Sequence, residues 1–521
     1  MKLFFYFILS IALLGAASCK TARNASSAID DGKLEVVFVQ VNDVYEISPI
    51  SGGKEGGLAR VHTLKKQYLQ SNPNTYLVMA GDFLSPSVYN SLVHEGKRIR
   101  GKQMVEVMNA AGMDLVMFGN HEFDFPESDL LQRINESSFQ WIASNTFHQV
   151  KDTIIPFVKT TGNLSLIMPE YIIMRLKDND GTTANIGIIG LTIPVNKAEY
   201  VSYTDPLTTA KKIYNRIKDS VDAFVAITHQ FISDDKKLAA EIPGITVILG
   251  GHEHRMIFEK EAGVYITKAH SNARSAYIVK LQIDKPSKKV NVVPELRYID
   301  ESIALDSATN SVVQKWENIA EKNYSALGFD PKKMVVDHMD SLDGRDDNTH
   351  NGYTNLTRLI VEAMADASPQ ADVVIFNSGS IRIDEILNMP LTQYDILRTL
   401  PFGGGIREVD MKGSLLIKTL NQGKDNKGGG GFLQYNESIT HNSDNNQWKL
   451  KDVPIDPSRI YRVSMSDFLL TGREVKLDYL HPKNPEIVKV YDAQTSVSHD
   501  QSDIRLAIIR YLETKNNAPM P

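Results

Sequence analysis

The sequence predicts an α/β protein with mixed sheets, built as two α/β units joined by a helix. Three observations predict it. From Leu34 to about Arg297, short apolar runs alternate with amphipathic stretches, the pattern of strands separated by helices. From Asp306 to Ala326 one stripe of a helical pattern carries Val312, Trp316, Ile319 and Ala320, with polar residues elsewhere. Beyond it the α/β pattern resumes. Leu356, Leu359, Ile360, Ala363, Met364 and Ala367 mark an amphipathic helix, and Asp372–Phe376 a buried strand.

The chain opens with Met1-Lys2, an apolar run from Leu3 to Ala17, and then Ser18-Cys19. That order reads as a secretory signal over residues 1–18, too short to span a bilayer. Cys19 is the only cysteine, so no internal disulfide is expected. A cysteine directly after Ala16-Ala17-Ser18 resembles the lipobox of bacterial lipoproteins, which implies a lipid on Cys19 and attachment to a membrane. The alternative is an ordinary cleaved signal with an incidental cysteine. Residues 19–33, rich in Ser, Ala and Asn, then form a flexible tether. In a Gram-negative cell, Lys20 in place of the Asp that retains lipoproteins in the inner membrane implies the outer membrane.

The first unit, residues 34–300, carries expected strands at Leu34–Val41, Tyr76–Ala80, Leu115–Phe118, Ile186–Ile189, Ala223–Ile227 and Thr246–Leu249. Tyr277–Ile283 and Val290–Arg297 suit antiparallel strands around a Lys-Pro-Ser-Lys-Lys turn. Residues 301–326 are the joining helix and 327–521 the second unit, in which Gly423–Gly431 is expected to be a surface loop. The 521 residues are 42% hydrophobic and 23% charged, an ordinary globular balance. Residues 1–18 carry one lysine and no acid, so their removal moves the formal charge from −6 to −7. That mild acidity argues against a nucleic-acid polymer as partner.

Five expected strands end in the same kind of residue. The runs close on Asn42-Asp43-Val44-Tyr45, on Gly81-Asp82, on Gly119-Asn120-His121, on Thr228-His229 and on Gly251-His252-Glu253-His254. In open α/β sheets, sites gather beyond the carboxyl ends of the strands. Imidazole, carboxylate and amide oxygen without thiolate suit Zn, Mn, Fe or Co better than a structural thiolate zinc site.

In this order the motifs resemble the calcineurin-like metallophosphoesterase signature. The resemblance implies a four-layer αββα sandwich holding two divalent metal ions (Zn, Mn, Co or Fe). Asp82 would bridge them, Asp43 and His254 would complete the first site, and Asn120, His229 and His252 the second. His121, paired with Asp124, would protonate or stabilise the leaving oxygen in hydrolysis of a phosphoester; Glu122 stays unassigned. Tyr45 departs from the pattern, which has His there. It either ligates as phenolate, favouring a ferric ion, or packs while water fills the gap.

Further motifs are Gly56-Gly57-Leu58-Ala59-Arg60 in the first unit and, in the second, Leu342-Asp343-Gly344-Arg345, Asn377 to Arg382, Leu400-Pro401-Phe402-Gly403 and Asp467-Phe468-Leu469. With them the chain resembles the secreted 5′-nucleotidase family, whose relatives include UDP-sugar hydrolases and cyclic-nucleotide phosphodiesterases. The resemblance implies that Phe402 and Phe468 sandwich a nucleobase, that Asn377 and Arg382 bind substrate, and that the second unit rotates to deliver it. Gly352 and Tyr353 replace an Arg and a Glu of the family pattern, and Gly472-Arg473-Glu474 replaces Gly-Gly-Asp. Glu474 therefore stands where a ribose-binding Asp is expected. The implied activity is phosphate release from nucleotides. Nucleotide sugars, 2′,3′-cyclic nucleotides and non-nucleotide esters are alternative substrates, and a surface binding protein with a decayed centre is the alternative from another class.

Overall fold

In the computed structural model the described residues are 30–196 and 198–517. The expected signal sequence, Cys19 and most of the expected tether lie outside them. Among the described residues no helix is long and apolar enough to cross a membrane.

Twelve strands form the two main sheets of the first unit: β1 Lys33–Val41, β2 Thr75–Met79, β3 Leu115–Met117, β4 Gln140–Ile142, β5 Ile172–Lys177, β6 Thr183–Thr192, β7 Ala223–His229, β8 Val247–Gly251, β9 Ile257–Glu261, β10 Val264–Lys268, β11 Ser275–Asp284 and β12 Lys289–Tyr298. One sheet has the order β12-β11-β1-β2-β3-β4, the other β5-β6-β7-β8-β10-β9. The central strands of each are parallel, and antiparallel strands close the β12 edge of the first and both edges of the second.

Alternation along the strands explains the layering, because successive side chains point to opposite faces. Leu34, Val36 and Phe38 of β1 meet Ile186, Ile188, Val225 and Leu249 between the sheets. Val37, Val39 and Val41 point the other way, onto the helices Leu58–Ser71 and Lys102–Ala110 through Leu58, Val61, Leu64, Met104 and Met108. The second sheet turns Ile189, Leu191, Phe224, Ala226 and Ile248 onto Ala210, Ile213 and Leu238 of two further helices. The result is an αββα sandwich of four layers.

The joining helix is Ser307–Ala326, capped by Asp306, whose carboxylate accepts the Thr309 N–H at 3.0 Å. It lies on the first unit: Trp316 is fully buried and its Nε1–H donates to Glu106 at 3.0 Å. Its fully buried stripe runs through Thr309, Val313, Trp316, Ala320 and Tyr324, while Val312 and Ile319 pack half-buried against the same cluster. Val313 thus joins the stripe expected from the sequence.

The main sheet of the second unit holds five strands, β13 Val373–Asn377, β14 Ile406–Lys412, β15 Leu433–Tyr435, β16 Ile460–Ser466 and β17 Ile487–Val490, in the order β15-β13-β16-β14-β17. Helices Asn355–Ala367 and Ile504–Asn517 cover the face bearing Val374 and Phe376. Helix Gly413–Asp425 covers the opposite face through Leu415, Leu416 and Leu420. This helix corrects the expected loop at its start. Gly423 is inside it, where a Cβ would come within 2.4 Å of Leu433. Absence of a side chain serves close packing there, not flexibility. A single apolar cluster continues from the first unit through the joining helix into the second.

Candidate active site

The carboxyl ends of β1, β2, β3, β7 and β8 meet at one rim of the sandwich. Three residues just beyond these ends hold left-handed backbone: Asp43 at φ 52°, Asp82 at φ 54° and His252 at φ 89°. Such strain is retained where the surroundings fix it, and it gathers at functional sites. Gly119 is required by contact, since a Cβ there would lie 2.0 Å from Asp82 Oδ1.

Asp43, Asp82 and His229 are buried, and one ligand atom from each lies within 4.8 Å of the others. His229 Nδ1 is 2.8 Å from the Ala80 carbonyl, which turns Nε2 toward Asp82 Oδ2 at 3.0 Å. Burial works against the His229 imidazolium, yet Asp82 and Asp43 outweigh it and push its pKa up to about 10. Burial likewise opposes ionisation of Asp82, but the charges of His229 and His121 and their hydrogen bonds hold its carboxyl well below the usual range. Two adjacent carboxylates at this depth call for positive charge. Burial and the neighbouring His229 lower the pKa of His252 to about 3, leaving a neutral imidazole able to ligate. Its ring lies 5.2 Å from that of His229.

The donor set fits metal ions. Asn120 Oδ1 is buried without a hydrogen-bond donor, which is costly unless something else takes its lone pairs. Oxygen and imidazole nitrogen converge there without sulfur, a set suited to divalent first-row ions. Tyr45, 5% exposed, places its hydroxyl 2.9 Å from His254 Nε2, 3.3 Å from Asp82 Oδ2 and 3.4 Å from Asp43 Oδ1. Burial first, and then Asp82 and Asp43, push its phenol well above the ordinary range. Its hydroxyl thus stands among the expected first-site residues Asp43, Asp82 and His254.

His121 stands at the solvent side, 28% exposed, with Nδ1 2.7 Å from Asp124 Oδ2. Ser85 Oγ and Asn196 Nδ2 also donate to Asp124, at 3.0 and 3.1 Å. Burial disfavours the imidazolium of His121, but Asp82 and Asp124 outweigh it and raise its pKa. Glu122, left without a role by the sequence, is fully buried and accepts four backbone N–H groups. Those of Asp82 and Gly119 reach one oxygen at 3.0 and 2.7 Å, and those of Phe83 and Leu84 reach the other at 2.8 and 3.0 Å. Burial and repulsion by Asp82 push its carboxyl up to about 7.

The second unit contributes a cleft of about 540 Å³. Phe402 and Phe468 line it, 68% and 40% exposed, an unusual surface for phenylalanine and a suitable one for stacking. Asn377 and Glu474 are also on its wall, joined by a 2.8 Å hydrogen bond from Asn377 Nδ2. Gly379 N–H donates to the Gly430 carbonyl at 2.7 Å, so the glycine-rich loop shapes the cleft. Arg382 lies 5.8 Å from the Phe402 ring centre and also borders a small cavity shared with Tyr45. It is the residue common to the aromatic cleft and the rim. Gly352 leaves room for a side chain, with nothing nearer than 3.9 Å, while Tyr353 packs on Tyr435 and Arg473 is exposed.

Several contacts at the site were invisible in sequence. Asn272 Oδ1 accepts the Tyr45 N–H at 3.1 Å and its own N–H donates to the Asp43 carbonyl at 2.8 Å. Asp384, from the second unit, approaches His254. Both residues are far along the chain from those partners, and no local pattern marks either.

The sequence model of the calcineurin-like phosphoesterase family matches residues 36–256, and that of the 5′-nucleotidase C-terminal domain matches residues 335–479. The chain is 24% identical to a bovine (Bos taurus) 5′-nucleotidase over 476 residues, 80% of this chain and 78% of that one. It is 24% identical to protein UshA of Yersinia enterocolitica over 506 residues, 85% of this chain and 86% of the relative. Its fold is similar to the crystal structure of a 5′-nucleotidase precursor from Thermus thermophilus, with a TM-score of 0.65 and 20% identity over 92% of this chain and 97% of that one. Carrying both domains in the same order, the chain belongs to the 5′-nucleotidase family, a calcineurin-like phosphoesterase domain followed by a 5′-nucleotidase C-terminal domain.

Proposed function

We propose that the protein is an exported phosphohydrolase of the 5′-nucleotidase type that releases phosphate from nucleotides. The observation that carries this reading is the convergence of Asp43, Asp82 and His229 on the same rim as the unpartnered Asn120 Oδ1. Asp43, Asp82, His254, Asn120, His229 and His252 would hold two divalent ions, Zn, Mn, Co or Fe, with Tyr45 beside the first. Such a pair, when bound, neutralises phosphoryl oxygens and makes water a competent nucleophile at neutral pH.

The remaining chemistry belongs to the chain. A water oxygen attacks phosphorus as one of its protons passes to solvent, the ester P–O bond breaks, and the leaving oxygen takes a proton from His121, which regains one from solvent. Asp124 holds that imidazole by Nδ1, directing Nε2 to the substrate. Phe402 and Phe468 take the base between them, and Arg382 meets the phosphate side. Glu474, hydrogen-bonded to Asn377, would contact the sugar.

The test is a panel of nucleoside monophosphates, nucleotide sugars and cyclic nucleotides, given to protein lacking residues 1–19 under several divalent ions. Phosphate release, fastest from the monophosphates, is expected. No release from any member would contradict the reading.

Export and a lipid on Cys19 are supported by the apolar run Leu3–Ala17 before that cysteine. Mass spectrometry of protein taken from cell membranes is expected to find an acylated N-terminal Cys19, and Cys19→Ser to be released as soluble protein. Unmodified Cys19 on a membrane-free protein would refute the anchor.

A further inference from the structure

His254 presents its two ring nitrogens to different halves of the molecule. Nε2 faces the rim, 2.9 Å from the Tyr45 hydroxyl and 3.5 Å from Asp43 Oδ1. Nδ1 is buried without a hydrogen-bond partner and faces Asp384 Oδ2 of the second unit at 3.4 Å. A ligating histidine almost always donates its other N–H to a carboxylate, carbonyl or water, which fixes its orientation and strengthens it as a ligand. Here the nearby carboxylate comes from the other domain.

Asp384 is held for this task. Its backbone is left-handed, φ 38°, in a residue that has a Cβ. Its Oδ1 accepts the Asp346 N–H at 2.8 Å, which leaves Oδ2 for His254. The next residue, Glu385, is buried and also crosses between the units, pairing with Arg274 at 3.0 Å. Arg398 closes on the other Glu385 oxygen from within the second unit. Arg274 in turn follows Asn272, the residue that clasps Tyr45 and Asp43. Two consecutive carboxylates of the second unit therefore engage two basic side chains of the first, one of them an expected metal ligand.

We propose that Asp384 is a positioning residue for His254, so that the seating of the second unit sets the affinity of the first metal site. The proposal rests on the dinuclear reading above. Coupling of this kind is reciprocal: an ion in the first site would favour the arrangement in which Asp384 reaches His254.

Titration of the full-length, metal-free protein with Mn²⁺ tests it. Two ions are expected to bind wild type. In Asp384→Asn, whose amide oxygen still accepts the Asp346 N–H, one ion should weaken by roughly 10–100-fold while the other is unchanged. Arg274→Gln loosens the 384–385 pair from the first unit without altering Asp384, and should weaken the same ion. A merely structural loosening would lower both affinities together, and that result would overturn the proposal. So would wild-type binding of both ions by both variants, which leaves the dinuclear reading standing. Wild type that takes up no Mn²⁺ would overturn both.

Discussion

At the scale of single residues, His121 and Glu122 are adjacent and do different things. His121 faces solvent with Asp124 behind it, and the proposed step asks it only to move a proton. His121→Ala is therefore expected to lose roughly 100- to 10,000-fold in turnover, the usual worth of a positioned acid, with its metal content intact. Metal loss would instead make His121 a ligand. Glu122 faces inward and gathers the backbone of Asp82, Phe83, Leu84 and Gly119. Glu122→Gln turns an NH₂ group toward two of those N–H donors. Each buried N–H left without an acceptor costs about 1–3 kcal/mol, so the metal-free variant should lose several kcal/mol in denaturant unfolding. An unfolding midpoint equal to wild type would refute the cradle. The roles expected of Asn120, His121 and Asp124 could be argued from the sequence because they follow one strand within a few positions. Glu122 could not be placed, because all four of its partners are backbone N–H groups, which no side-chain pattern reveals.

At the scale of elements, the two exposed phenylalanines and the joining helix make contrasting claims. Phe402 and Phe468 stand on separate loops of the second unit and face one cleft. A base between them gains about 1–3 kcal/mol per stacked face, so each Phe→Ala should raise KM by roughly 5- to 150-fold, with kcat less affected. Unchanged KM in both variants would remove the base from that cleft. Trp316 is apolar area of the opposite sort, buried on the first unit with a hydrogen bond to Glu106. Trp316→Ala should cost about 3–5 kcal/mol of stability, read from thermal or denaturant unfolding. The strands that were expected end within a few residues of their places, since each is an apolar run bounded by turn residues, whereas others such as Ile172–Lys177, Val264–Lys268 and Ile460–Ser466 were not anticipated. On the joining helix Val312 and Val313 are equally apolar, and only the neighbouring helices decide that Val313 is fully covered and Val312 half covered. The glycine-rich stretch misled for a similar reason. Gly423 packs inside a helix against Leu433, a long-range contact that composition alone reads as flexibility.

At the scale of the molecule, the two units share one continuous apolar cluster and are joined at the rim through Asp384, Glu385 and Arg274. The candidate site is therefore divided between them: the rim residues on the first, the aromatic cleft on the second, with Arg382 bordering both. The sequence offered candidates for both halves, the rim as motifs at strand ends and the cleft as short motifs that resemble a family pattern. It could not reveal their junction, since Asp384 and His254 meet only once the chain has folded. The central claim is the proposed one, that the rim would hold two divalent ions with Asp82 among the residues that bind them. The most direct measurement counts divalent ions per chain after reconstitution, for wild type and Asp82→Asn, and follows phosphate release from a nucleoside 5′-monophosphate in the same samples. The account predicts two ions and turnover in wild type, with fewer ions and little phosphate in the variant. Wild-type metal content and wild-type turnover in Asp82→Asn would contradict it.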